Sequence, residues 1–185
     1  NANKWNRQVL KIHRILITYC KRADKVIVVG SDMVPTMTKR FTKKNGEVSK
    51  KLPKTVFINN WMDENDVYPL PSDDPGVVAF KEKYGLQNKF IIMYSGNIGL
   101  FYDLENLFKV IERFKDRDDV VFPFVGEGTM KDELMAYVEE HDMKNVIFIP
   151  YQEKDQLVYS LNAADVHWIV NAKGVKGVSC PSKLY

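Results

Sequence analysis

Apolar residues along the chain fall into two alternating patterns. Short stretches rich in apolar residues stand at 25–30 (KVIVVG), 55–59 (TVFIN), 90–94 (FIIMY), 120–125 (VVFPFV), 146–149 (VIFI) and 166–170 (VHWIV), and the one at 90–94 is apolar throughout. A short run without polar alternation fits a strand buried on both faces, as in a parallel sheet. Between the runs, apolar residues return at helical spacing. Trp5, Val9, Ile12, Leu16 and Tyr19 form one stripe over residues 4–22, with Arg7, Lys11, Arg14 and Lys21 on a separate face. Leu104, Leu107, Phe108 and Ile111 form a second stripe, in a helix predicted over 103–116 and capped by Asp103 or a near neighbour. Leu134, Tyr137 and Val138 form a third, in a helix over 130–140. Further helices are predicted over 77–84, over 155–162 and over 31–44, the last capped by Ser31, tolerating Pro35 in its first turn and stopped by Asn45 and Gly46. Strands spaced by helices predict right-handed crossovers and an α/β fold, a Rossmann-like parallel sheet with flanking helices. Pro123 interrupts this picture, because an interior strand cannot normally spare an amide, so a local irregularity is expected there.

Residues 61–76 (WMDENDVYPLPSDDPG) hold three prolines and several acids without periodicity, and read as an extended linker. The charge changes sign at the same place. Residues 1–60 carry 14 Lys and Arg against 3 Asp and Glu, a net +11, whereas residues 61–185 carry 13 against 21, a net −8. Two independent signals thus divide the chain into 1–60, a linker at 61–76, and 77–185. The basic part would be drawn to membrane surfaces, phosphates or an acidic neighbour, and its first helix could dock on a core or lie on an anionic bilayer. No apolar run reaches the roughly 18 to 20 residues of a membrane span, and the N-terminus lacks the features of a signal peptide. Cys20 and Cys180 lie far apart with no CxxC, so neither a disulfide framework nor a zinc site is expected, and a reducing cytoplasm is the default compartment. His13, His141 and His167 are isolated and read as surface or packing residues. No nucleic-acid-binding motif accompanies the basic half.

The candidate chemistry lies where strands end. In an open parallel sheet, ligands bind outside the carboxyl ends of the strands. The run at 90–94 is followed by Ser95, Gly96, Asn97, Ile98 and Gly99 and then by a helix. A strand, glycine loop and helix leave backbone N–H groups free for phosphate oxygens, although a tight connection without a ligand has the same sequence. Gly126, Glu127 and Gly128 follow the next strand and let backbone approach closely. Tyr151 and Gln152 follow the strand at 146–149. The last loop, 172–181 (AKGVKGVSCP), carries Lys173 and Lys176 and leads to Ser182, where a helix could begin. No GxGxxG follows the strand at 90–94, which argues against a nicotinamide dehydrogenase.

The ordered series VFPFVGEG, KNVIFIPYQ, LNAADVHWIV and GVSCPSKLY resembles the donor-binding half of family 4 (group 1) glycosyltransferases, enzymes of the GT-B fold with two facing Rossmann-like domains. RADKVIVVGSDM and TVFINNW are similar to the closing part of the acceptor-side domain. The resemblance covers nearly the whole chain, and the PSK segment is similar to enzymes of bacterial surface-polysaccharide and lipid-linked glycan assembly. It implies that residues 1–60 end an acceptor-side domain and that residues 77–185 form most of a donor-binding domain. It implies transfer of a sugar from a nucleotide-diphosphate donor to a glycan or lipid-linked acceptor, with retention at the anomeric carbon and with neither metal nor cofactor. By motif, Gly96, Asn97 and Gly99 would lie under the diphosphate, Tyr151 and Gln152 would border the base, and Ser182 and Lys183 would meet phosphate or ribose. Gly126, Glu127, Gly128, Lys173 and Lys176 would complete the donor loops. The implied place of work is the cytoplasm, with peripheral contact at the inner membrane face through residues 1–60.

Three positions depart from the resembled pattern. Many relatives place an Arg and a Lys in and after the first loop, where this chain has Asn97 and Tyr102, so that Lys183, Lys173 or Lys176 would have to substitute. Of two glutamates expected near the sugar and the ribose, the first falls on Val178 and the second on the residue following Tyr185. Complete enzymes of this type are longer, and the expectation is a piece that transfers no sugar alone, its catalytic groups unassigned. A nucleotide-sugar epimerase of the same architecture and a non-catalytic docking module remain alternatives.

Overall fold

The computed structural model describes residues 18–20, 22–42, 46–47, 54–100 and 102–184. The expected first helix lies mostly outside them, as do His13 and the expected helix stop at Asn45; Thr18, Tyr19 and Cys20 are helical. Among the described residues no helix is long and apolar enough to cross a membrane. The chain forms two compact units, Asn1–Asn60 with Val175–Cys180 and Trp61–Gly174 with Pro181–Tyr185.

In the first unit, β1 (Lys25–Val28) and β2 (Lys54–Phe57) pair in parallel, with Lys25 opposite Lys54 and Val28 opposite Phe57. Helix α1 (Met33–Phe41) joins them. Its N-cap is Asp32 rather than the expected Ser31, and Asp32 makes no capping bond with its side chain. The Asp32 carboxylate accepts instead from the Gly177 amide at 2.8 Å, a longer-range contact that outcompetes the local cap. Strand β1 was expected to be buried, yet Ile27 is 61% exposed and only Val28 is buried.

The second unit runs α2 (Pro75–Lys83), β3 (Phe90–Ser95), α3 (Leu104–Ile111), β4 (Val120–Val125), α4 (Lys131–Glu140), β5 (Val146–Ile149), α5 (Leu157–Asn162) and β6 (Val166–His167). All strand pairs are parallel and the spatial order is β5-β4-β3-β6. Alternation along the strands sends residues to two cores. Tyr94, Val120, Phe122 and Phe124 pack with Leu104, Leu107, Phe108 and Ile111 of α3 and Leu134 of α4 on one face. Ile91, Met93, Val121 and Val125 pack with Val77 and Phe80 of α2 and with Ala163 on the other. Phe108 is fully buried, its ring 4.8 Å from Phe124 and 6.3 Å from Phe148. Burying an aromatic of this kind contributes about 1.5–3 kcal/mol.

Several element ends differ from the sequence expectation. Helix α2 begins earlier, because the Asp74 carboxylate accepts from the Gly76 and Val77 amides and Pro75 occupies the first turn. Helix α3 ends at Ile111 and tightens into a 3₁₀ turn, Glu112–Phe114. Asp103 stands at its N-cap without a side-chain capping bond, its carboxylate accepting from Asn106 Nδ2 at 2.7 Å. The sixth strand shortens to Val166–His167, though the Trp168 amide still donates to Met93 O. Residues 61–74 form no helix or strand, and they are tied down by Asn162. Its Oδ1 accepts from the Leu70 amide and its Nδ2 donates to Tyr68 O, both at 2.9 Å.

Pro123 sits in an uninterrupted β4 that is buried throughout. Phe122 and Gly126 donate towards β5, whereas Asp119 and Val125 accept from β3, so alternation aims Pro123 at β3. The β3–β4 register pairs Ile91 with Val121 and Tyr94 with Phe124 and skips the residues between. The expected irregularity is therefore a local gap in one ladder, while pairing with β5 continues through Pro123 and Ile147.

Candidate functional site at the carboxyl rim of the sheet

Strand order places a topological switch beside β3. The chain builds β4 and then β5 on one side of β3 and returns for β6 on the other. Helix α3, which leaves β3, packs with one core, whereas Tyr159 of α5, which leads into β6, packs with the opposite one. Where successive connections part to opposite faces, a crevice opens at the carboxyl ends.

Three loops meet there. The Gly96 amide donates to Val125 O and the Gly126 amide to Ile149 O, at 2.8 and 2.9 Å, so each strand hands its loop to the next. The Ile98 amide then donates to Glu127 O, and the Met130 amide to Ile98 O. Backbones approach so closely that a Cβ on Gly126 would stand 2.0 Å from Gly96 O, and one on Gly128 would stand 2.1 Å from Ile98 O. Gly126 also has φ +146°, and Gly96 has φ +134°. Gly126 and Gly128 are therefore required by contact between loops as well as by conformation.

Side chains complete the rim. Tyr94 ends the buried part of β3 and donates its hydroxyl to Asn97 O at 2.7 Å, bracing the glycine loop from beneath. Burial, with Tyr102 and Tyr151 nearby, pushes its phenol well above the ordinary range, so it remains a donor. Tyr151 lies against Gly126, with its hydroxyl 3.5 Å from Glu127 O. Glu127 pairs with Lys131 at 2.6 Å, which leaves its charge largely answered. Lys183, in the 3₁₀ turn Ser182–Leu184, reaches back so that its Nζ is 3.8 Å from the Tyr94 ring centroid and 4.7 Å from that of Tyr102. A Cβ on Gly96 would stand 3.0 Å from that ammonium. The ammonium is buried, without a hydrogen-bond partner among the described residues, and burial lowers its pKa to about 8.

The structure thus gathers Gly96, Asn97, Gly99, Gly126, Glu127, Gly128, Tyr151 and Lys183. Gln152 turns aside, donating to Pro150 O at 2.7 Å and approaching the Tyr84 hydroxyl at 3.4 Å. Ser182 is exposed at the start of its turn. Lys173 is exposed, and Lys176 and Val178 are exposed members of the other compact unit. Of the three lysines considered as substitutes for missing basic residues, Lys183 is the one whose ammonium lies on the glycine loop. Sequence reasoning missed Tyr94 and the aromatic role of Tyr102. The available signal was a tyrosine closing an apolar run, with a second one eight residues on. His141 stacks on Tyr137, and His167 Nε2 donates to Leu161 O, both away from these loops. No group of three or more His, Cys, Asp or Glu that could hold a metal occurs among the described residues.

Known proteins resemble this chain in sequence and fold. Residues 79–170 match the family model described as glycosyl transferases group 1. WbjE of Pseudomonas aeruginosa, named as a probable glycosyltransferase, is 27% identical over 178 residues, covering 94% of this chain and 40% of that protein. WcaI of Escherichia coli (strain K12), provisionally named a colanic acid biosynthesis glycosyl transferase, is 31% identical over 154 residues, covering 83% of this chain and 37% of that protein. The chain therefore spans about two fifths of these relatives. Among solved structures, Anabaena HepE in complex with UDP and glucose matches with a TM-score of 0.65 at 16% identity, covering 83% of this chain and 40% of that one. TarM of S. aureus, in a complex that includes UDP and alpha-GlcNAc-glycerol, matches with a TM-score of 0.60 at 18% identity, covering 85% of this chain and 27% of that one. These structures establish the fold as that of the GT-B glycosyltransferases. The sequence match centres on the sheet that carries the rim, where residues 79–170 carry the pattern of the group 1 glycosyl transferases, and most of the chain is similar to proteins named as glycosyltransferases.

Proposed function

We propose that the carboxyl rim binds the diphosphate of a nucleotide sugar, and that the protein transfers the sugar to a glycan or lipid-linked acceptor in bacterial polysaccharide assembly. The observation that carries this reading is the Lys183 ammonium, buried against Gly96 with no acceptor among the described residues. A desolvated cation without a partner is costly, and a diphosphate oxygen supplies the missing acceptor. The departing diphosphate gains negative charge while the sugar becomes oxocarbenium-like, so a fixed cation and loop amides aimed there lower the barrier. In this reading Gly96, Asn97 and Gly99 underlie the diphosphate, Tyr151 borders the base, Ser182 faces phosphate or ribose, and transfer proceeds with retention and without a metal or cofactor. Residues 77–185 serve as the donor half and residues 1–60 as the end of the acceptor half, whose basic face meets anionic lipid from the cytoplasmic side. UDP stands first among the nucleotides, because HepE and TarM were solved with it.

Since the chain spans two fifths of its relatives, binding is the appropriate readout and no turnover is expected from these 185 residues alone. Calorimetric titration with UDP, GDP, ADP and their glucose conjugates tests the reading. Saturable binding of one nucleoside diphosphate, lost in Lys183→Met, is the expected result. Equal, unsaturable heats for all six, or an unaltered affinity in Lys183→Met, would remove the basis for the assignment.

A further inference from the structure

Lys183 is held by rings rather than by a carboxylate. Among the described residues nothing accepts a hydrogen bond from its ammonium, and the groups facing it are the glycine loop at Gly96 and the aromatic faces of Tyr94 and Tyr102. The acids on neighbouring segments are otherwise engaged: Asp103 accepts from Asn106 Nδ2, and Glu127 pairs with Lys131. Tyr151 presents the remaining titratable group near Tyr94. The two rings stand edge to face, with centroids 6.1 Å apart and planes at 75°, so each offers the same ammonium a π surface from a different direction.

This arrangement differs chemically from an ion pair. A carboxylate at the same place would fix the lysine but neutralise it, and an incoming phosphate would have to compete for the cation. A ring quadrupole attracts the cation without cancelling its charge. We propose that Tyr94 and Tyr102 form an aromatic cradle that keeps the Lys183 ammonium charged, unpaired and aimed at the glycine loop, which makes Tyr102 a positioning residue for an anionic ligand there. This rests on the donor reading for the identity of the ligand, though not for the state of the lysine. Tyr94 has a second duty in bracing Asn97 O, whereas Tyr102 is half-buried and makes the cleaner target.

The cradle favours the charged form, and burial opposes it. Removing the Tyr102 ring therefore lowers the lysine pKa further below about 8, by about one unit for a desolvated cation–π contact. The test measures two quantities on the 185-residue chain and on its Tyr102→Leu and Tyr102→Phe variants. One is the pH titration of the Lys183 ε-carbon signal by NMR, assigned with Lys183→Arg; the other is UDP affinity between pH 6.5 and 9. Tyr102→Leu is expected to move the titration midpoint down by about one unit and to weaken UDP about threefold at pH 7.5, with much less effect at pH 6.5. Tyr102→Phe, which keeps the ring, should restore both. A midpoint that stays put or rises in Tyr102→Leu overturns the cradle and leaves the donor reading standing. A midpoint that falls as expected while none of the three chains binds UDP supports the cradle and removes UDP as the ligand.

Discussion

Gly126→Ala tests whether the rim is built by contact between loops. The new methyl would stand 2.0 Å from Gly96 O and 3.3 Å from Tyr151 Cε1, at a φ of +146° that side chains rarely adopt. Neither neighbour retreats easily, because the Gly96 amide is bonded to Val125 O and the Gly126 amide to Ile149 O. The backbone strain costs about 1–3 kcal/mol, and forcing a methyl into filled space costs about 1–3 kcal/mol more. Gly85→Ala separates these contributions: Gly85 has φ +65° and no atom within 4 Å of its would-be Cβ, so it carries the strain alone, about 1 kcal/mol. Urea unfolding of the chain and the two variants should show Gly126→Ala losing about 2–6 kcal/mol and Gly85→Ala about 1 kcal/mol, with m unchanged. UDP affinity should fall in Gly126→Ala, where Gly96 must shift, and hold in Gly85→Ala. Equal losses in the two variants would refute the close approach, and a loss below about 0.5 kcal/mol in Gly126→Ala would refute the steric argument altogether.

Gly76→Ala should cost about 1–3 kcal/mol, because the new methyl meets the Tyr159 ring, and adding Tyr159→Leu should recover part of that loss in the same denaturation assay. Asn162→Ala removes the side-chain bonds to Leu70 and Tyr68, and should cost about 1–3 kcal/mol while speeding limited proteolysis within residues 61–74. Lys183 has a folded pKa of about 8, below that of the unfolded chain, so between those two values the unfolded state binds more protons. Folding stability from this group should therefore rise as pH increases above about 8 while UDP affinity falls, a pair of opposed trends that thermal melts and titrations between pH 7 and 10 would register.

Periodicity made the sheet legible. All four strands of the second unit begin where their apolar runs begin, and in β4, buried at every position, no polar residue blurs the edges. Boundaries set by long-range contacts were not legible. Asp32 follows Ser31 in sequence, but its carboxylate is committed to Gly177, and no local pattern announces a partner so far along the chain. Strand order was likewise hidden, since β5-β4-β3-β6 and other orders share one sequence pattern, and with it the position of the switch beside β3. The loops of the rim were legible in glycines and a tyrosine, Tyr151, standing just after strand ends, whereas Lys183 lies well beyond the end of β6. Gln152 shows the limit of that logic: one residue beyond Tyr151, it turns to Pro150 O and Tyr84 because its amide finds acceptors within reach. The cradle lay deeper still, as Tyr94 reads as core and only proximity to Lys183 gives its face a second meaning.

The two ends of the same four strands differ in what they ask of the fold. At the amino ends, side chains are mostly engaged: Arg117 makes two 2.6 Å bonds to Asp119, Lys89 donates to Asp118 O, and Asn145 Nδ2 donates to Phe114 O, although its Oδ1 has no partner among the described residues. At the carboxyl ends, Gly96 and Gly126 hold conformations that side chains rarely adopt, backbones press together at Gly126 and Gly128, and an ammonium is buried with no acceptor among the described residues. Each of these opposes folding. Packing alone would favour a neutral side chain at position 183, since methionine spans a similar length with no charge to desolvate. Local rules broken together, at the end of the sheet where loops converge, point to a requirement other than stability. An incoming diphosphate answers the ammonium and the loop amides at once. If that is the requirement, Lys183→Met should make the unliganded chain more stable below pH 8 while removing its response to UDP, a combination that a purely structural lysine would not produce.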